Sequence, residues 1–264
     1  MIEEHFGLQR APFGKDVPTA ALFTPAAQIQ ATSQLTYAIA QRHIAVLVGE
    51  VGAGKSTVLR ATLAACSPAR FPVAYLPGAP RDPRDLFQSV LAAFGESAPW
   101  STADARTRLR RVLLDFADAG RTAVLVCDEA HDLTPVMLSH LRVLTNFEMD
   151  ARPVFALLLA GHPDLARLVR RKGQEALAQR VGITCHLLGL TREETDRYIA
   201  HHLQIAGCVQ PLFTPEATAA IFAASKGLPR AVNRAALACL EAAMLAGADH
   251  VDATLAEDAL ADIA

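Results

Sequence analysis

Two short stretches hold most of the chemistry that this chain can offer. Gly49-Glu50-Val51-Gly52-Ala53-Gly54-Lys55-Ser56-Thr57 follows the apolar run Ala45–Val48, and Asp128-Glu129 follows Val124–Cys127. The first has the spacing G-x-x-x-x-G-K-[ST]. Glycines at 49, 52 and 54 let the main chain wrap tightly, so that its N–H groups converge on phosphate oxygens. Lys55 then reaches the outer phosphates of a nucleotide, and the Ser56 hydroxyl offers a position to Mg²⁺. All residues from Gly49 to Thr57 are therefore candidate nucleotide contacts. A glycine-rich turn with no ligand is the competing reading; a strand before it and a helix after it argue for the phosphate loop.

Asp128 emerges at the end of an apolar strand, where a carboxylate would sit beside the phosphate loop and support Mg²⁺. Glu129, the next residue, points elsewhere and is suited to polarise an attacking water. Acids after a strand are also common in ordinary loops. An Asp-Glu pair behind a phosphate loop points instead to ATP hydrolysis, with Lys55, Asp128 and Glu129 at its centre. Phosphoryl transfer further needs positive charge near the γ-phosphate. Arg180, in EALAQRVG, could reach a neighbouring subunit's site, and Arg230, in GLPRAVNR, could fold back onto phosphate. A solvated surface arginine is the alternative for each. His162 ends the run LLLAG, where a polar side chain could sense the γ-phosphate or simply hydrogen-bond at a strand end.

These residues must be positioned by strands and helices, and the hydrophobic pattern supplies both. AVLVG, PVAYL, AVLVCDE and PVFALLLAG are short, apolar and bounded by breakers; Ile183–His186 is a candidate last strand. Helical spacing runs between them, from Lys55, through DLFQSVLAAFG, ADARTRLRRVLLDFADAG and LTPVMLSHLRVLTNF. Continuous apolar strands alternating with helices predict an α/β fold: a three-layer domain on a parallel sheet. From Thr191 onward only helical patterns occur, four in number, with Thr191 and Thr214 as start signals. The expected division is an N-terminal segment plus α/β domain over 1–189, followed by a small all-α lid over 190–264.

Composition bounds the class. Of 264 residues, 52% are apolar and 20% charged, and the net charge is −2, so no overall basic field announces a nucleic-acid partner. Local basic clusters are candidate DNA contacts: Arg81 and Arg84, then Arg106, Arg108, Arg110 and Arg111, and most densely Arg167, Arg170, Arg171 and Lys172. For each cluster taken singly, a solvated helix face balanced by nearby acids is the favoured reading. The five cysteines form no CxxC pair and read as buried thiols of a reducing compartment. The acidic N-terminus lacks a leader pattern, and the longest apolar run, Val154–Gly161, is too short to cross a bilayer. A cytoplasmic protein without membrane insertion is expected.

The segments EHFGLQRAPFGKDVPTAALF, GEVGAGKST, VCDEAHDLTPVMLSHLRVLTNFE, LLLAGHPDL, LAQRV, LTREETDRYIAHHLQIAG and GLPRAVNR occur in the order found in ExeA-like (general secretion pathway A) AAA+ ATPases, and the chain resembles that family over nearly its whole length. The resemblance implies a P-loop AAA+ core with a helical lid that binds and hydrolyses ATP with Mg²⁺. It implies Arg180 as arginine finger, Arg230 as second sensor, His162 at the first-sensor position and Pro12 and Phe13 near the adenine. Relatives more often carry Gln where His162 stands. Secretion members are longer. The opening, with Lys15-Asp16-Val17-Pro18-Thr19, resembles a short subgroup akin to the transposition ATPases TnsC, IstB and Mu B. That likeness implies a homo-oligomeric ring or filament on duplex DNA that directs a DDE transposase; an assembly ATPase for secretion is the alternative.

Overall fold

A computed structural model describes residues 1–14, 17 and 21–261, apart from the Asp150 side chain. Most of the Lys15–Thr19 segment lies outside the described residues. In chain order come α1 (Ile2–Phe6), α2 (Ala26–Ala40), β1 (Ile44–Gly49), α3 (Lys55–Ala64), β2 (Val73–Leu76), α4 (Pro83–Ala93), α5 (Thr102–Asp118) and β3 (Ala123–Cys127). They are followed by α6 (Pro135–Thr145), β4 (Phe155–Gly161), α7 (Asp164–Val169), α8 (Glu175–Ala178) and β5 (Val181–Leu187). The chain then turns wholly helical: α9 (Arg192–Ile205), α10 (Pro215–Ser225), α11 (Pro229–Ala246) and α12 (Ala253–Ala261).

The chain forms two compact units: Gln28–Glu50 with Lys55–Leu187, and Met1–Ala27 with Val51–Gly54 and Leu188–Ala264. In the first, five parallel strands lie in the order β2-β3-β4-β1-β5. Every residue of β1, β3 and β4 is buried, which is why these strands read as unbroken apolar runs. The edge strand β5 alternates partly exposed positions instead, and it runs longer than Ile183–His186. Leu47 pairs with Ala160, and Cys127 pairs with Leu159. Leu159 of β4 also pairs with Val46, so β3 ends earlier than β1 and β4, and the residues just beyond all three strands leave the sheet at its carboxyl edge, where open α/β sheets hold their ligands.

Side-chain caps set where several helices begin. Asp82 accepts from the Arg84 and Asp85 amides, and Thr134 caps α6 ahead of Pro135. In the helical unit, Thr191 forms a capping box with Glu194, and Thr214 caps α10. A core of Leu8, Phe13, Tyr198, Ile221, Val232, Leu240 and Val251 joins the N-terminal segment to α9–α12. Gly227 is required where it stands: its φ is +69°, and a Cβ there would lie 2.1 Å from the Leu190 carbonyl. All five cysteines are free thiols. Among the described residues no helix is long and apolar enough to cross a membrane.

Candidate nucleotide site at the carboxyl edge of the sheet

The phosphate loop leaves β1 at Gly49 and re-enters regular structure at Lys55, the first residue of α3. Gly52 and Gly54 adopt φ of +85° and +98°, conformations that residues with a Cβ resist. Gly49 serves differently, as the last residue of the strand, paired with Leu187. Lys55 is buried, and its Nζ donates to the carbonyls of Gly49 (2.8 Å) and Glu50 (3.2 Å). The ammonium is thus tethered across the mouth of its own loop, at a helix N-terminus that favours anions. Ser56 stands exposed in the first turn of α3, and Thr57 beside it is half-buried.

Asp128, one residue past β3, is only 5% exposed. Both of its oxygens are engaged: Oδ2 accepts from the Tyr75 hydroxyl at 2.8 Å and Oδ1 from the Glu129 amide at 3.0 Å. Burial, then the hydrogen bond to Asp128 and the charges of Asp128 and Glu129, push the Tyr75 phenol up to about 12, so it stays a donor. Glu129 occupies the left-handed region at φ +50°, ψ +37°, a conformation few non-glycine residues hold. Its carboxylate is half-exposed, with Oε2 3.4 Å from Nδ1 of His131. His162 follows β4; its Nε2 lies 2.9 Å from Glu50 Oε2 and its Nδ1 3.4 Å from Asp164 Oδ2.

This edge fits a magnesium nucleotide by its donor set: a glycine-kinked loop entering a helix N-terminus, one buried ammonium, one buried carboxylate and an exposed hydroxyl. Among the described residues no cluster of three or more acid, histidine or cysteine side chains could cage a metal alone.

The remaining predicted residues fall in several places. Arg230, near the start of α11, donates its amide to Gly52 at 3.4 Å, and its Cβ stands 2.8 Å from where a Cβ on Gly52 would lie. Arg180 Nη1 donates to the Arg142 carbonyl (3.1 Å) and the Thr145 hydroxyl (3.2 Å) at the end of α6. Pro12 and Phe13 are buried in the helical unit, and Phe13 stacks on His202 with ring centroids 5.4 Å apart. Two neighbours of the acids went unread in the sequence, Tyr75 and His131. Tyr75 sits inside an apolar strand, and His131 follows the acids by two residues; only the alternation of VAYL hinted that Tyr75 faces away from its buried neighbours.

A glycine-kinked phosphate loop behind β1, an acid pair behind β3 and a polar residue behind β4 on a β2-β3-β4-β1-β5 sheet define a P-loop ATPase of the AAA+ class. The AAA domain family matches residues 39–169. General secretion pathway protein A of Aeromonas hydrophila is 34% identical over 265 residues, covering 97% of this chain and 48% of that protein. The chain thus spans about half the length of this relative. The chain belongs to the ExeA-like family of AAA+ ATPases. Among solved structures, the Aeropyrum pernix ORC2 protein in its ADPNP–ADP complexes superposes with a TM-score of 0.67 at 15% identity, over 95% of this chain and 71% of that one. The Aeropyrum pernix ORC1 protein in complex with DNA gives 0.65 at 16%, over 94% and 68%. At these identities the likeness is one of fold.

Proposed function

We propose that the chain binds ATP with Mg²⁺ and hydrolyses it at the carboxyl edge of the sheet, with residues 190–264 as the lid of the ATPase domain. The tethered Lys55 ammonium behind β1, with the buried, doubly hydrogen-bonded Asp128 behind β3, carries this reading. Lys55 and the amides of Gly49–Thr57 would bind the phosphates, while Ser56 and Asp128 would hold the ion. When bound, magnesium supplies charge neutralisation between the outer phosphates. Glu129 takes a proton from water as general base, Arg230 approaches phosphate from α11, and His162 faces the γ-phosphate end through its contact with Glu50. Pro12 and Phe13 border the adenine. Arg180 acts in trans on a neighbouring subunit of a homo-oligomer.

The finer reading is an ATPase that assembles on duplex DNA and regulates target selection by a DDE transposase. The likeness of the opening segment to the transposition subgroup supports it, as does the exposed run Arg167, Arg170, Arg171 and Lys172 on and after α7. The clusters on α5 support it less, because Arg108 pairs with Glu96 and Arg110 donates to the Val143 and Asn146 carbonyls. Backbone contacts from α7 would be tolerant of sequence and sensitive to salt. ATP turnover measured with and without duplex DNA, at two salt concentrations, tests this reading: it expects stimulation that fades with salt, and an unchanged rate with no DNA binding would end it. A second reading, an assembly ATPase of a secretion pathway, is favoured by the name of the Aeromonas relative. Co-purification with a membrane partner and indifference to DNA would select it.

A further inference from the structure

One imidazole nitrogen at the sheet edge faces two claims. His131 lies in the single turn Ala130–Asp132 that follows the acids. Its Nδ1 accepts from the main-chain N–H of His162 at 3.3 Å, and the same atom stands 3.4 Å from Glu129 Oε2. Its Nε2 is 3.7 Å from Asp132 Oδ1. The ring is pinned by close packing against β4: a Cβ on Gly161 would lie 3.0 Å from Nδ1 and 3.1 Å from the His131 amide. A bare Nδ1 can accept from His162 but offers Glu129 only a lone pair. An Nδ1 that carries hydrogen donates to Glu129 and must release the His162 amide. The two bonds exclude each other.

From this shared atom we infer that His131 is a positioning residue for Glu129, exchanging its Nδ1 between the carboxylate and the end of β4. The tautomer decides which: hydrogen on Nδ1 holds the carboxylate, hydrogen on Nε2 frees it, with no change in net charge. Because His162 leads β4 out toward Glu50 of the phosphate loop, a shift there alters how tightly the carboxylate is held. Glu129 depends on such a partner, since its left-handed backbone departs from the preferred regions and half its side chain is open to water. The inference rests on the reading of Glu129 as general base.

The test is a cycle of His131→Ala, Glu129→Gln and the double variant, read by single-turnover hydrolysis, ATP Kd and Tm. His131→Ala is expected to slow turnover about 10- to 100-fold, in the range seen when a partner orienting a functional group is lost. ATP affinity stays within about twofold, because the phosphate contacts are untouched. His131→Gln recovers most of the rate, since its amide can either donate to Glu129 or accept from His162. The double variant is no slower than Glu129→Gln alone, as expected of residues acting as one unit. His131→Phe keeps the ring volume without the nitrogen; it stays folded and slow even where the alanine variant fails to fold. Full turnover in His131→Phe, or losses that multiply in the double variant, would overturn the inference. Full turnover in Glu129→Gln would instead overturn the reading of the base itself.

Discussion

Two pairs of histidines show how one side chain serves two purposes. At the sheet edge, His131 and His162 stand among Glu50, Glu129, Asp132 and Asp164, half-buried, with carboxylates within 4 Å of their ring nitrogens. In the helical unit, His201 and His202 stand among Phe13, Phe23 and Tyr198. His202 is 5% exposed, its Nδ1 has no partner among the described residues, and burial followed by the charge of His201 drives its pKa down to about 4. The first pair is placed to meet charge. In the second, His202 is held neutral and packs like an aromatic residue. Environment, not residue type, separates chemistry from cohesion.

Variants at the sheet edge should therefore cost turnover while sparing stability, and changes in the helical cluster should do the reverse. The largest effect is expected from Lys55→Ala. Loss of the buried ammonium at the loop should reduce steady-state hydrolysis about 100-fold or more, with Tm nearly unchanged. A collapse of Tm with it would blur the contrast.

Acid should act on the other region. His202 in the folded protein resists a proton that the unfolded chain accepts near its ordinary value of 6.5. Its contribution is fully present above that pH and is lost as pH falls toward about 4. On the order of 3 kcal/mol is at stake across that window. Denaturant titrations at several pH values should show the slope, and His202→Phe should flatten it. The smallest effect belongs to Tyr75→Phe, which removes a donor to Asp128 but no charge. It should raise the Mg²⁺ concentration needed for half-maximal turnover about 10-fold, read from the Mg²⁺ dependence of the rate at saturating ATP.

The contrast also explains what the sequence discloses. The phosphate loop is legible because its function depends on spacing within nine consecutive residues, Gly49 to Thr57. Strands β1, β3 and β4 are legible because burial on both faces leaves no polar interruption. Helices α9 and α10 announce themselves through Thr191 and Thr214, whose caps are local. Contacts between distant residues leave no such trace. Tyr75 meets Asp128 only because β2 and β3 pair. His131 meets the His162 amide across two strand ends, and Phe13 finds His202 far along the chain. His162 was legible as a polar residue at a strand end, yet its carboxylate neighbours Glu50 and Asp164 were not.

The central claim is that this edge grips a magnesium nucleotide and that Glu129 activates water against it. Glu129→Gln examined by ATP binding and single-turnover hydrolysis in the same preparation tests it most directly. The account predicts ATP bound as tightly as by the unaltered protein, with hydrolysis slower by about 100-fold or more. Undiminished hydrolysis by the Gln variant, or no measurable ATP binding by either protein, would contradict it.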